Sequence, residues 1–248
     1  MLHRDLTDPA AGPHAMQLIV DAVTVALTGA WSVPVLLHRG DRVVSVRDHY
    51  DLLRYPPDAV TRDRRYSRYL GGGRMMRAHT TAHIPALLRA LAADGWPTDV
   101  LLVVPGICYR RDVIDRHHVA EPHQLDLWRI RMIGKPLAEA ELTGMISHVA
   151  GAVLPGRPVT TPASPHPYTV DGREIYVDGV EIGECGLAHP EVLAAAGLPA
   201  TASGLAMGLG LDRLTILAKG MDDIRLLRSA DPRVAVQLTD LCPYRPVS

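Results

Sequence analysis

Three short segments concentrate the side chains that could do chemistry. Tyr109-Arg110-Arg111-Asp112 leads through a polar stretch to His123-Gln124-Leu125-Asp126. Glu181-Ile182-Gly183-Glu184-Cys185-Gly186 sets two carboxylates among glycines. Gly208-Leu209-Gly210-Leu211-Asp212-Arg213 puts an acid and an arginine after a glycine-spaced run. Arginine offers a planar fork of donors that matches phosphate or carboxylate oxygens. Carboxylates beside a triphosphate can hold Mg²⁺, a hard cation that takes oxygen ligands. The set suits gripping a nucleoside triphosphate in a bent shape while a carboxylate attacks it. Each piece alone has a plainer explanation. Arg110 with Asp112 reads as a surface ion pair worth under about 1 kcal/mol. Glu181 and Glu184 read as a solvated strand edge, and the glycines as a helix-packing device. Thr80 or Thr81 reads as an N-cap, and His117 and His118 as solvated loop residues. The glycines do not form the dinucleotide-binding fingerprint, which needs G-x-G-x-x-G after a strand, and no Gly-Lys-Ser/Thr occurs.

The elements that would position these residues follow from periodicity. Pro13 to Leu27 reads as a helix, with Met16, Ile19, Val20, Val23 and Ala26 on one face. Ser32 to Leu37 reads as a strand, and Pro34 within it argues for an edge or interface position. Tyr55 to Gly73, rich in Pro, Gly, Arg and Asp, reads as a long loop. Arg74 to His79 reads as a short strand and Thr81 to Ala93 as a helix ending before Gly95. Val100 to Tyr109 is a strongly apolar strand, Val113 to Pro122 a polar loop, and His123 to Met132 the returning strand. Arg110 and Asp112 on a strand would share a face, since side-chain direction repeats every two residues. Leu137 to Val153 is an amphipathic helix. Arg157 to Gly186 reads as strands with hairpin turns at Asp171-Gly172 and Asp178-Gly179. Pro190 to Ala196 is a short helix, and Gly204 to Gly210 a strand running into a helix over Leu211 to Lys219. The sum is an α+β fold with a mostly antiparallel sheet flanked by helices.

Bulk composition narrows the function classes. With 248 residues, 47% hydrophobic and 21% charged, the chain can bury a sizeable core as one large domain or two small ones. A net charge of −1 gives no global attraction to nucleic acid or to an anionic membrane. No apolar run approaches the ~18–20 residues of a membrane span. The start, Met1-Leu2-His3-Arg4-Asp5, lacks the apolar core of a secretory signal. Cys108, Cys185 and Cys242 are three and widely spaced, which argues against a disulfide framework or a zinc cage. A cytoplasmic protein with reduced thiols is expected.

The ordered set of segments resembles the catalytic core of class II aminoacyl-tRNA synthetases. The aromatic-Arg-x-acid run Tyr109 to Asp112, within about 100–132, is similar to motif 2. Gly208 to Arg213, within about 204–219, is similar to motif 3, and the helix and Pro34 over about 13–37 are similar to motif 1, the dimer-forming element. Further segments resemble the catalytic (alpha) subunit of the phenylalanine enzymes: Tyr50-Asp51-Leu52 with Pro56-Pro57-Asp58, Arg77-Ala78-His79-Thr80-Thr81, Asp115 to His118, His123-Gln124, Glu181-Ile182, Cys185-Gly186 with His189-Pro190, and Gly220-Met221-Asp222-Asp223-Ile224-Arg225-Leu226. The similarity runs over nearly the whole of residues 1–248 and implies a single catalytic domain. It implies ATP and Mg²⁺, and activation of an amino acid as an aminoacyl-adenylate. It also implies roles. Arg110 would bind the α-phosphate and the carboxylate being activated. Arg213 would lie over the adenine and meet the γ-phosphate, with Asp112, Gly208 and Gly210 in the same nucleotide site. His118 would hold the outer phosphates, and Glu181 would sit by the metal and the α-phosphate. His79, Thr81, Gln124 and Asp126 would surround the amino acid's ammonium and carboxylate.

The chain departs from that pattern in specific places. Where the resembled enzymes carry Phe-Pro-Phe-Thr-Glu-Pro-Ser in the side-chain pocket, this chain has His166-Pro167-Tyr168-Thr169-Val170-Asp171-Gly172. Polar groups at His166 and Tyr168 should penalise a purely apolar side chain, so a substrate more polar than phenylalanine is expected. Ala206 stands at the pocket floor, where its small size would leave room for a ring or a long chain. Pro122 stands where an adenine-stacking aromatic is expected, and Asp212 replaces a glutamate. The ending Pro243-Tyr244-Arg245-Pro246-Val247-Ser248 resembles the approach to an anticodon-binding module, so either a truncated chain or a protein working without that module is expected. Without a basic surface, tight tRNA binding is not expected, and the acceptor could be tRNA, a carrier protein or a small molecule. A homodimer through Pro13 to Leu37 is expected. The alternative is a catalytically idle, synthetase-like binding or regulatory protein that senses an amino acid. Retention of Arg110, Arg213 and Glu181 argues against it.

Overall fold

The computed structural model describes residues 3–93, 96–111 and 114–247. Helix α1 (Ala15–Trp31) starts where the His14 side chain accepts the Met16 N–H, and it stops at Ser32, whose left-handed backbone (φ 52°) cannot extend it. Its buried face is Met16, Ile19, Val20, Val23 and Leu27, as the spacing requires, while Ala26 is only half-buried. Strand β1 (Val35–Leu37) follows directly after Pro34, and β2 (Val43–Ser45) runs into the single turn α2 (Val46–His49). Strands β3 (Tyr69–Gly71) and β4 (Arg74–Met76) join β2 in a small antiparallel sheet of order β2-β4-β3.

A 3₁₀ turn over Thr80–His83 leads into α3 (Ile84–Ala92). Then come the long strands β5 (Asp99–Ile107) and β6 (His123–Arg131), helix α4 (Glu139–Val153), short strand β7 (Val159–Thr160), and the hairpin of β8 (Thr169–Val177) and β9 (Val180–Ala188). Helix α5 (Pro190–Ala195), strand β10 (Ser203–Gly210), helix α6 (Leu211–Lys219) and the turn α7 (Pro232–Ala235) complete the order.

The main sheet has seven strands in the order β1-β5-β6-β10-β9-β8-β7. Only β1 pairs in parallel, with β5; every other pair is antiparallel. The expected α+β class therefore holds, with one parallel edge. Alternation along the central strands sends residues to two cores. Leu101, Val103, Leu127, Leu205, Met207 and Leu209 pack with α1, α4 and α6. Val100, Leu102, Trp128, Ile130 and Ala206 pack with α3 and α5 on the opposite face. Burial on both faces explains why β5 reads as an unbroken apolar run.

Four expectations need correction. The Tyr55–Gly73 stretch is not one structureless loop: it contains a 3₁₀ turn (Val60–Arg62) and β3. It is tied down by Tyr50 Oη on Thr61 O (2.6 Å) and Tyr69 Oη on Arg62 O (2.7 Å). Strand β4 ends at Met76, so His79 lies beyond it. Asp178-Gly179 makes the β8–β9 hairpin with both residues at positive φ, but Asp171-Gly172 does not turn the chain. Asp171 (φ 52°) bulges within β8, and a Cβ on Gly172 would sit 2.3 Å from Ser164 O. An Asp-Gly pair supplies positive φ, and a bulge uses it as readily as a turn does. Finally, β5 ends at Ile107, so Arg110 is not on a regular strand. The hairpin continues irregularly past that point, with Cys108 N–H to Pro122 O (2.7 Å) and Arg110 N–H to Ala120 O (2.8 Å).

Candidate active site

A cavity of about 390 Å³ opens over the middle of the main sheet. It forms because β10 carries only small residues on the α3/α5 face. Ala206, Gly208 and Gly210 alternate there, so larger groups from β6 and β9 flank a floor without side chains. Gly208 pairs with Asp126 on one side and with Glu184 on the other. A Cβ at Gly208 would meet Glu184 Cγ at 3.8 Å and Asp126 Oδ2 at 4.0 Å. The glycine that is sterically required is Gly183, whose added Cβ would lie 2.1 Å from Gly208 O.

The outer end is organised by Arg213 in the first turn of α6. Its Nη1 donates to Glu181 O (3.0 Å) and Oε2 (2.9 Å), and its Nη2 lies 3.0 Å from His118 Nε2. Arginine can only donate, so His118 Nε2 accepts and its Nδ1–H points to Asp115 Oδ1 at 2.9 Å. Asp212, the neighbour of Arg213, is buried at the cavity wall. It accepts the His123 N–H and pairs with Arg228 at 2.6 Å. Burial pushes this carboxyl up, but Arg228 and His123 outweigh it and hold it at about 2.

The inner end is built from Asp126. Its Oδ2 accepts from Thr80 Oγ1 (2.7 Å) and Thr81 Oγ1 (2.9 Å), and its Oδ1 from Trp128 Nε1 (3.2 Å). Burial dominates these bonds and pushes the carboxyl up to about 6. Gln124 Oε1 accepts the Thr80 N–H at 3.3 Å, which leaves its amide nitrogen for the cavity. His79 is stacked between His49 (3.9 Å) and Tyr55 (5.7 Å). Both its ring nitrogens are buried without a protein partner. Burial and the Arg110 charge lower its pKa to about 3, so it stays neutral. Arg110 itself is held by Nε donating to Ala78 O (2.8 Å) and lines the cavity.

Glu184 closes the inner wall. Its Oε2 pairs with His166 Nε2 at 2.9 Å, and Tyr168 Oη donates to its Oε1. Burial raises the Glu184 pKa, but His166 and Tyr168 outweigh it and hold the group below the usual range. The ring of Tyr168 stacks at 6.0 Å on Trp128 and lies 6.3 Å from Tyr55.

The structure thus brings Arg110, Arg213, Glu181, His118, Gly208, Gly210, His79, Thr81, Gln124 and Asp126 to one cavity. His166 and Tyr168 stand behind its wall and act through Glu184. Ala206 is fully buried in the same apolar cluster as Trp128 and Tyr168, and it is not among the residues that line the cavity. Asp112 lies outside the described residues. Arg213 pairs with Glu181 and His166 with Glu184, so the two carboxylates have different partners. Among the described residues no group of three or more His, Cys, Asp and Glu is arranged to hold a metal. Thr80, read from the sequence as an N-cap candidate, instead donates to Asp126. Tyr55, which lines the cavity, and Trp128, which donates to Asp126, carried no sequence signal.

The chain matches the family described as tRNA synthetases class II core domain (F) over residues 35–238. It is 35% identical over 197 residues to the phenylalanine–tRNA ligase alpha subunit of Prochlorococcus marinus (strain MIT 9313), covering 77% of this chain and 56% of that one. It is 30% identical over 234 residues to the alpha subunit of Synechocystis sp. (strain ATCC 27184 / PCC 6803 / Kazusa), covering 91% and 66%. The chain thus spans a little over half the length of the first of these relatives. The fold is similar to that of a pyrrolysyl tRNA synthetase, PylSc of Desulfitobacterium hafniense, with a TM-score of 0.66 at 18% identity, covering 88% of this chain and 74% of that one. On the match to its core domain, this chain belongs to the class II tRNA synthetase family.

Proposed function

We propose that the chain uses ATP to activate an amino acid as an aminoacyl-adenylate. The observation that carries this reading is the convergence of Arg110 and Arg213 on one cavity whose inner end holds Asp126, Gln124, Thr81 and His79. Asp126 is a carboxylate suited to an α-ammonium, and Arg110 lies where it can meet both a substrate carboxylate and an α-phosphate. A carboxylate oxygen attacks the α-phosphorus, an O–P bond forms, the bond to the bridging oxygen breaks, and pyrophosphate leaves. Arg110 balances charge on the α-phosphate. Arg213, held by Glu181 and His118, meets the outer phosphates. No covalent enzyme intermediate is needed, since positioning and charge neutralisation carry the step.

Glu181 fits a Mg²⁺ that arrives with the nucleotide, because Mg²⁺ binds through one or two carboxylates plus substrate phosphates. When bound, the ion supplies charge neutralisation on the phosphates. The same reading pairs two copies through α1 and the free edge of β1, where Leu18, Val25 and Leu37 are exposed. It leaves tRNA, a carrier protein or a small molecule as the acceptor; a net charge of −1 gives no general pull on RNA. No helix among the described residues is long and apolar enough to cross a membrane.

ATP–pyrophosphate exchange across all amino acids, with and without total tRNA, tests the reading. Exchange with at least one amino acid is expected, and Arg110→Ala should lower it at least about a hundredfold without unfolding the protein. Ligand-induced stabilisation without exchange would instead identify an idle binding protein.

A further inference from the structure

The reading above leaves the identity of the amino acid side chain open, and the sheet itself constrains it. Asp126, Gly208 and Glu184 occupy one rung across β6, β10 and β9. With no side chain at Gly208, both acids lean over it: a Cβ there would lie 3.8 Å from Glu184 Cγ and 4.0 Å from Asp126 Oδ2. An amino acid whose ammonium sits on Asp126 has Glu184 as its neighbour across Gly208.

What it meets there is acceptor capacity. The Tyr168 hydroxyl is already donated to Glu184, and His166 Nε2 is bonded to the other carboxylate oxygen. Each oxygen keeps a further lone-pair site. The Glu184 side chain keeps 36% of its surface open, and the cavity is what it faces. Hydrocarbon laid on that face would cover a carboxylate without replacing its lost water, which is costly. An N–H or O–H would satisfy it. Of the neighbouring rings only Tyr55 lines the cavity, with Tyr168 and Trp128 stacked behind its wall.

We propose that Glu184, presented across Gly208 from Asp126 and fixed by His166 and Tyr168, selects an amino acid whose side chain ends in a hydrogen-bond donor and rejects apolar side chains such as that of phenylalanine. Glu184 is a specificity residue here and takes no part in the attack on phosphorus. The inference rests on the adenylation reading.

The test compares kcat/KM for exchange with donor-bearing amino acids (lysine, ornithine, arginine, histidine, tyrosine, glutamine) and apolar ones (phenylalanine, leucine, methionine, valine). The best donor-bearing substrate should exceed phenylalanine at least tenfold. Glu184→Gln should shrink that ratio at least tenfold, and Glu184→Leu should move the preference towards apolar side chains. Because each ratio is taken within one protein sample, partial unfolding of a variant does not affect it. An apolar best substrate for the unaltered protein, or a ratio unchanged in Glu184→Gln, would overturn the assignment of Glu184 and leave adenylation standing. Exchange with no amino acid at all would overturn the adenylation reading, and this inference with it.

Discussion

Asp126 carries the sharpest pH consequence of any single residue. Burial outweighs its three donors and raises its carboxyl to about 6. Between about pH 4 and 6 the folded protein therefore holds a proton that the unfolded chain releases. That contribution to stability is fully present below about pH 4 and is lost as pH rises through 6. A bound ammonium favours the charged form, so amino acid affinity must move the other way. KM for the amino acid should rise about tenfold per unit as pH drops below 6. Asp126→Asn should bind more weakly and lose this pH dependence; an unchanged profile would exclude Asp126 from the ammonium site. Asp212 behaves oppositely, since Arg228 and His123 hold it at about 2. Its contribution is present above about pH 4 and disappears as pH falls towards 2. At this scale the sequence displayed the ingredients without their partners. Glu181 and Glu184 look equivalent beside their glycines, but Arg213 from α6 and His166 from the segment before β8 give them different surroundings. Such long-range pairings have no local signature.

Among the elements, α1 and β1 leave a surface that asks for a partner. Strand β1 is the sheet's edge, paired only with β5. Leu37 is 53% exposed on it, and Val25 is 69% exposed on α1. Open edges and exposed apolar groups together favour association. Light scattering at micromolar concentration should report a dimer, and Val25→Glu should shift it to monomer; a monomeric unaltered protein would exclude this interface. The long elements were legible because their periodicity is sustained: α1, β5, β6, α4 and β10 all follow from apolar spacing. Of the small sheet only β4 was legible, and its end was placed three residues too far; β2 and β3, of three residues each, carry too little alternation to register. The bulge at Asp171-Gly172 was misread for a chemical reason, since positive φ is common to bulges and turns. That bulge matters to the site: Ser164 N–H bonds to Gly172 O at 2.8 Å, which seats the segment bearing His166 and Tyr168.

Over the whole molecule, one mixed sheet gathers residues from stretches far apart in sequence. Arg110 comes from the loop after β5, Arg213 from the start of α6, and the acids from β6 and β9. The glycine-spaced strand β10 lies between the acids and keeps the floor clear. Along the cavity the outer end pairs Arg213 with Glu181, Arg110 stands between, and the inner end carries Asp126 and Glu184. That polarity fits a triphosphate outside and an ammonium inside. A structure determined with bound ATP tests this most directly. The α-phosphate should lie within hydrogen-bonding distance of the Arg110 terminal nitrogens, with the outer phosphates against Arg213. ATP bound elsewhere, or a cavity left empty at saturating nucleotide, would contradict it.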